Sequence, residues 1–324
     1  MKLLLKPGQV QILLVGVLAC LVITVLLAMS QLPHRSLECP QCHCANPPNS
    51  KQSNSAANEA HKLCILVPFR DRFEELLEFA PHITSYLNQK DIDHDIWVLN
   101  QVDGYRFNRA SLINVGFLES PPDCDYIAMH DVDLLPLSQD LSYSFPAQGP
   151  FHVASPDLHP KYNYPTFIGG ILLVTRKHFS QVNGMSNRYW GWGLEDDEFF
   201  VRLRQANLMV ERPVGVTSGR GATFKHIHSK KVRKRDMAKC HNQQNMTRRV
   251  DRVTGVNNVD YTVERRTRLV VEGAAVNLLN VALNCDKELT PWCNCTGVPN
   301  DKGKQDRTRD ENVVVPLLPR SRVG

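Results

Sequence analysis

The sequence predicts an α/β domain built on a mostly parallel, Rossmann-like sheet with helices on both faces. Three observations point there. Short apolar runs alternate with segments of helical periodicity. The runs are too uniformly apolar for strands with one wet face. Chemically distinctive residues fall just beyond the ends of those runs, where ligands bind in open α/β sheets.

Leu63–Val67 reads as a buried strand ending at Pro68, and Phe73–Leu87 carries apolar residues at helical spacing. Ile96–Leu99 is a second strand and Asn108–Leu118 a second helix, stopped by Pro121-Pro122. Tyr126–Met129 is the third strand and Phe167–Val174 a fourth. Strand, helix, strand, helix, strand at this spacing is the pattern of βαβ units. Glu195–Ala206 begins with acids and ends with bases, as a helix macrodipole favours.

The flanks set the compartment. Lys2 and Lys6 precede an uncharged run, Ile12–Met29, just long enough to span hydrocarbon. The positive-inside bias puts the N-terminus in the cytosol and the rest in the lumen. The expected layout is a cytoplasmic tail 1–9, a signal anchor 10–29, a flexible stem 30–60, a catalytic domain 61–296 and a disordered tail 297–324. The alternative is a cleaved signal peptide, since Ala28 and Ser30 make a passable cleavage pattern.

Ten cysteines agree with an oxidising compartment. Cys240, Cys285, Cys293 and Cys295 permit three pairings, of which Cys285–Cys293 with Cys240–Cys295 is preferred. Cys64 and Cys124 sit in apolar surroundings and read as buried thiols. Cys39, Cys42, His43 and Cys44 lack the second ligand pair of a structural zinc site. Asn245 and Asn294 head sequons suited to a lumenal chain. Net charge is +5, too weak to argue for a nucleic acid.

Four constellations carry chemistry. His130-Asp131-Val132-Asp133 follows the third strand, and its two carboxylates at i and i+2 repel unless a cation sits beside them. His226-Ile227-His228 offers two imidazoles pointing the same way. With Asp133 they make an O,N,N set that leans to Mn2+, leaving positions for phosphate oxygens. Tyr189 to Asp197 alternates glycine with two tryptophans and runs into Glu195, Asp196 and Asp197. Such a loop closes over a sugar, and the acids can supply a general base and orient a hydroxyl. Finally, Pro68-Phe69-Arg70-Asp71-Arg72 and Phe107-Asn108-Arg109 place arginines within reach of a nucleotide diphosphate. The basic residues of 225–239 are a second diphosphate clamp or meet an anionic acceptor.

In this order, PFRDR (68–72), FNRA (107–110), HDVD (130–133), FIGGILL (167–173) and WGWGLEDDEFF (190–200) resemble the β-1,4-galactosyltransferase family. The resemblance covers roughly residues 62–296 and is nearest the branch that adds galactose to xylose on proteoglycan core proteins. It implies a GT-A fold, Mn2+, UDP-galactose and inversion at the anomeric carbon, in a single-pass type II protein of the Golgi membrane. By motif matching, Asp133, His226 and His228 would hold the metal. Pro68 to Arg72, Phe107, Asn108, Arg109, Val132, Asp133, Tyr162, Trp192 and Arg235 would bind the donor. Gly193, Leu194, Glu195, Asp196 and Asp197 would hold the acceptor, with Asp196 as the base. Leu194 stands where lactose-forming members carry Gly, which disfavours N-acetylglucosamine as acceptor. Rival readings are galactosyl or N-acetylgalactosaminyl transfer to N-acetylglucosamine, an inactive sugar-binding protein, or a metal phosphohydrolase.

Overall fold

The computed structural model describes residues 61–228 and 233–298, all within one compact unit, Glu59–Gly324. The expected cytoplasmic tail, anchor and stem, with Cys39, Cys42 and Cys44, lie outside the described residues, as does the tail beyond Val298. Among the described residues no helix is long and apolar enough to cross a membrane.

The first half of the chain follows its periodicity closely. β1 (Lys62–Phe69), α1 (Phe73–Asn88), β2 (Asp93–Gln101), α2 (Arg109–Glu119) and β3 (Tyr126–His130) appear in the expected order. Alternation along β1 divides the core. Leu63, Ile65, Val67 and Phe69 pack on one face with Leu76, Phe79 and Ile83 of α1. Cys64 and Leu66 point to the other face, against Leu112, Ile113 and Phe117 of α2. Helices therefore cover both faces, as a parallel core requires.

Beyond β3 come β4 (Leu134–Pro136), β5 (Phe151–His152), β6 (Ile171–Thr175), α3 (Arg176–Gln181), α4 (Glu195–Gln205), α5 (Gly219–Thr223), β7 (Phe224–His226), α6 (Gln243–Met246), β8 (Tyr261–Val271) and β9 (Ala274–Leu283). The main sheet runs β5-β6-β3-β1-β2-β9-β8, and β4 pairs with β7 in a separate ribbon. β3, β1, β2 and β9 are mutually parallel, whereas β6 meets β3, and β8 meets β9, in antiparallel fashion. The sheet is thus parallel at its centre and antiparallel towards both edges. β6 starts later than the apolar run 167–174 suggests, because Gly170 turns at φ +80 and its carbonyl accepts from Asp131 N at 2.9 Å.

Cys240–Cys295 and Cys285–Cys293 pair as preferred. Cys64 and Cys124 are not free thiols: they form a third disulfide. Cys64 lies on β1 and Cys124 two residues before β3, so pairing of these neighbouring strands brings the two sulfurs together. Asn245 and Asn294 are both exposed.

Candidate active site

β3 ends at His130, fully buried, whose Nδ1 donates to the Asp131 carbonyl at 2.9 Å and whose Nε2 lies 3.1 Å from the Tyr143 hydroxyl. Burial pushes this imidazole down to about 4, so it stays neutral and props the acidic turn rather than shuttling protons. The chain then enters β4, whose Leu134 pairs with His226 of β7. Ile227 N donates to the Asp133 carbonyl at 2.9 Å, so the ribbon lays Asp133 beside both histidines. Asp133 Oδ2 is 3.2 Å from His228 Nδ1 and 4.0 Å from His226 Nε2.

Burial lowers both imidazole pKa values, His228 to about 4 with help from Arg72 and Arg235, so both rings are neutral. Burial and the neighbouring Asp131 push Asp133 up to about 6. A carboxylate held against its will beside two neutral imidazoles is the electrostatic signature of a cation site. The Asp133 oxygen stands 3.2 and 4.0 Å from one nitrogen of each ring, the spacing of a carboxylate and an imidazole that share an ion. The mixed donor set fits Mn2+.

A second acidic cluster opens α4. Glu195, Asp196, Asp197 and Glu198 occupy its first turn, where backbone N–H groups and the macrodipole favour negative charge. The turn before it is held by Leu194 at φ +75, a left-handed conformation unusual for a residue with a side chain. Arg109 joins the two clusters. Its Nε donates to Asp131 Oδ1 and its Nη1 to Asp196 Oδ1, each at 2.9 Å. Burial raises Asp196 to about 8 and Arg109 works against that rise, while Glu195, Asp131 and Asp197 add to it. A fifth of the Asp196 side chain remains exposed. Glu195 is also raised by burial, and its Oε2 is buried without a hydrogen-bond partner.

The wall opposite is aromatic. Gly191 (φ +83) and Gly193 (φ +104) flank Trp192, which is 38% exposed. The Arg235 guanidinium lies 4.6 Å from the Trp192 ring centre and 5.8 Å from that of Tyr162. Two backbone bonds hold this arrangement: Gly191 N to Phe107 O at 2.8 Å and Trp192 N to Asp236 O at 3.0 Å. His159 Nδ1 accepts from Lys161 N and Tyr162 N, fixing the turn that presents Tyr162.

Some expected donor contacts are otherwise engaged. Asn108 is completely buried; its Oδ1 caps α2 through Ser111 N and its Nδ2 donates to Asn187 O, so its side chain is a helix cap rather than a nucleotide contact. Arg70 donates to the carbonyls of Gln101, Asp103 and Tyr105, and so shapes the loop after β2. Pro68, Phe69 and Val132 are buried, while Asp71 is exposed at φ +53. Phe107 lies beneath the Arg70 guanidinium at 5.9 Å. Arg72, by contrast, places Nη1 3.3 Å from His228 Nδ1.

Sequence reasoning missed three contributors. Gly169 has no room for a side chain: a Cβ there would collide with Asp196 Oδ2 and lie 2.7 Å from Phe167 Cε2. Glu75 receives hydrogen bonds from both Arg72 and Arg233. Arg106 donates to Asp236, Gln243, Trp292 O and Ala238 O, tying the Arg235 segment to the C-terminal turn. The FIGG glycines were the only signal in the sequence for any of these, since the other two depend on partners 130 to 186 residues away or on an ordinary helix acid.

The α/β fold, with a carboxylate beside two imidazoles and a buried acid at the head of α4, is that of a metal-dependent GT-A glycosyltransferase. Residues 35–146 match the family described as the N-terminal region of glycosyl transferase group 7. Residues 149–227 match the one described as the N-terminal domain of galactosyltransferase. The chain is 56% identical to beta-1,4-galactosyltransferase 7 of Drosophila melanogaster over 247 residues, 76% of this chain and 77% of that protein. It is 48% identical to xylosylprotein 4-beta-galactosyltransferase of Caenorhabditis elegans, covering 72% of this chain and 82% of that one. The crystal structure of the Drosophila catalytic domain with xylobiose superposes with a TM-score of 0.72 at 57% identity, covering 73% of this chain and all of that one. A mutant of that Drosophila protein has been solved with manganese, UDP-Gal and xylobiose. The chain belongs to the β-1,4-galactosyltransferase family.

Proposed function

We propose that this chain transfers galactose from UDP-galactose in β-1,4 linkage to xylose on the serine of proteoglycan core proteins, with inversion at the anomeric carbon. The observation that carries the reading is Arg109. It bonds at once to Asp131 of the metal-side turn and to Asp196 of the acceptor-side helix, which couples donor and acceptor halves into one site. The names and ligands of the relatives, a xylosylprotein galactosyltransferase and a complex with UDP-Gal and xylobiose, support the choice of substrates.

Asp133, His226 and His228 would hold Mn2+, whose chemistry is to offset the negative charge of the leaving diphosphate. Asp196 accepts the proton of the acceptor 4-hydroxyl while that oxygen attacks the anomeric carbon and the bond to UDP breaks. Trp192 and Tyr162 supply flat faces for the sugars, Arg235 faces the diphosphate, and Glu195 with Asp197 orients the acceptor. Leu194 narrows the acceptor side towards xylose. Catalysis belongs to residues 61–296, which a signal anchor at 10–29 and a stem at 30–60 would suspend in the Golgi lumen.

One assay tests this reading. UDP-[14C]galactose is offered with a xyloside and with an N-acetylglucosaminide, with and without a chelator. Label should pass to the xyloside alone, chelation should abolish transfer, and Asp196→Asn should lower turnover at least ~100-fold. Transfer to N-acetylglucosaminide, hydrolysis without transfer, or turnover surviving exhaustive chelation would each overturn it.

A further inference from the structure

Glu75 is a buried acid that the mechanism above does not use. It sits in the first turn of α1 and is 7% exposed. Its Oε1 accepts from Arg72 Nη1 at 3.2 Å and from Arg233 Nε at 2.9 Å, and its Oε2 accepts from Arg233 Nη2 at 3.1 Å. Arg233 also pairs with Glu74. The two guanidiniums more than offset burial and hold Glu75 below the usual carboxylate range, so it is ionised.

The outward connections of this clamp give it meaning. Arg72 continues to His228, with Nη1 3.3 Å from the same Nδ1 that faces Asp133. Arg233 lies two residues before Arg235, which is sandwiched by Tyr162 and Trp192. His228 and Arg233 also flank residues 229–232. One carboxylate on a rigid helix therefore ties down both flanks, one ending at an imidazole of the metal set and the other at the diphosphate-facing arginine.

We propose that Glu75 is a positioning residue for the metal and diphosphate end of the site, an inference that rests on the galactosyltransferase reading above. Its role has two parts. A guanidinium 3.3 Å from a metal-binding imidazole repels an incoming divalent cation, and the Glu75 charge offsets that repulsion. Its two bonds to Arg233 fix the start of the strand of chain that delivers Arg235. The two parts separate by mutation. Glu75→Gln keeps the shape and removes the charge, leaving Arg72 uncompensated beside His228. Arg233→Gln leaves the Arg72–Glu75 pair intact and frees only the Arg235 side.

The test measures Mn2+ binding to the purified protein in the presence of UDP, by electron paramagnetic resonance of free Mn2+, alongside KM values for UDP-galactose and xyloside. Glu75→Gln should weaken Mn2+ binding ~10-fold or more, within the range for residues that orient metal ligands. The xyloside KM should not change, because the acceptor acids lie on α4, outside the clamp. Arg233→Gln should leave Mn2+ affinity at or above wild type and raise the UDP-galactose KM several-fold. Folded Glu75→Gln protein that binds Mn2+ as tightly as wild type overturns the proposal. If that variant does not fold, Arg233→Gln decides: an unchanged UDP-galactose KM overturns the proposal, and a raised KM at undiminished Mn2+ affinity supports it. Wild-type protein that binds no Mn2+ with UDP would instead remove the functional reading, and this inference with it.

Discussion

A methyl group at Gly169 would strike Asp196, the proposed base. The Cβ of an alanine there would overlap Asp196 Oδ2 and also lie 2.7 Å from Phe167 Cε2 and 3.1 Å from Cζ. Phe167 cannot yield, since it is packed among His152, His159, Tyr162 and Tyr164 at ring distances of 5.4, 5.0, 5.0 and 5.4 Å. The carboxylate is the mobile partner, so it must rotate away and give up its 2.9 Å bond from Arg109. Misplacing a catalytic group by about 1 Å typically lowers the rate ~100-fold, or ~2.7 kcal/mol at 1.36 kcal/mol per decade. The fold should survive. Gly169 is not among the left-handed residues, so alanine is conformationally acceptable and stabilises by ~0.4–1 kcal/mol through the unfolded chain. Crowding opposes that with ~1–3 kcal/mol, a modest share of a domain's stability of ~5–15 kcal/mol. Steady-state kinetics with saturating UDP-galactose and Mn2+, together with thermal unfolding by circular dichroism, measure both effects. A Gly169→Ala protein with kcat within about threefold of wild type would refute the idea that this backbone aims Asp196.

The base also sets the response to pH. Because burial raises Asp196 to about 8 and only its ionised form accepts a proton, kcat/KM for the xyloside should rise with pH through neutrality and level off on the alkaline side. Arg109→Gln removes the cation that favours ionisation, so the acid limb of any remaining activity should move to higher pH. An acid limb near pH 4 in wild type would contradict the buried environment. The Cys64–Cys124 disulfide closes a separation of 60 residues. A Cys64→Ala/Cys124→Ala protein should lose roughly 4 kcal/mol in chemical denaturation, from the entropy of so long a loop. No change in the denaturation midpoint would show that the bond does not constrain the unfolded chain.

The legible parts of this fold were those written in local periodicity. β1, α1, β2, α2 and β3 each announce themselves in four or more consecutive apolar or helically spaced residues, and the structure extends them by only a few positions. The β8–β9 hairpin was invisible for the opposite reason. β8 reads YTVERRTRLVV, charged through its middle and interrupted by a bulge between Val263 and Arg265, because it is an edge strand with a wet face. Its partner β9 joins the sheet beside β2 from far along the chain, a pairing no local pattern encodes. Within the site, Asp133, His226 and His228 were readable from their spacing, yet the ribbon that assembles them has strands of three residues, below any periodic signal. Cys64 and Cys124 looked like buried thiols because their neighbours are apolar, and only strand pairing reveals them as a bond. The scaffold bonds of Asn108 and Arg70 were not legible, because polarity at a strand end does not tell which backbone groups a side chain will meet.

Leu194 has a wider consequence. It directly precedes Glu195, Asp196 and Asp197, and its backbone sits at φ +75 at the start of the helix that carries Asp196. A glycine there would open the acceptor side and adopt that backbone freely, relieving ~1–2 kcal/mol of left-handed strain. The same freedom would let the helix start wander. Under the proposed roles, acceptor choice and aim of the base are tied to a single residue, so a lineage that broadens its acceptors through this position has to stiffen the turn by some other contact. Changes of substrate in this architecture should come as pairs of mutations, with the second lying in what braces the Trp-Gly loop.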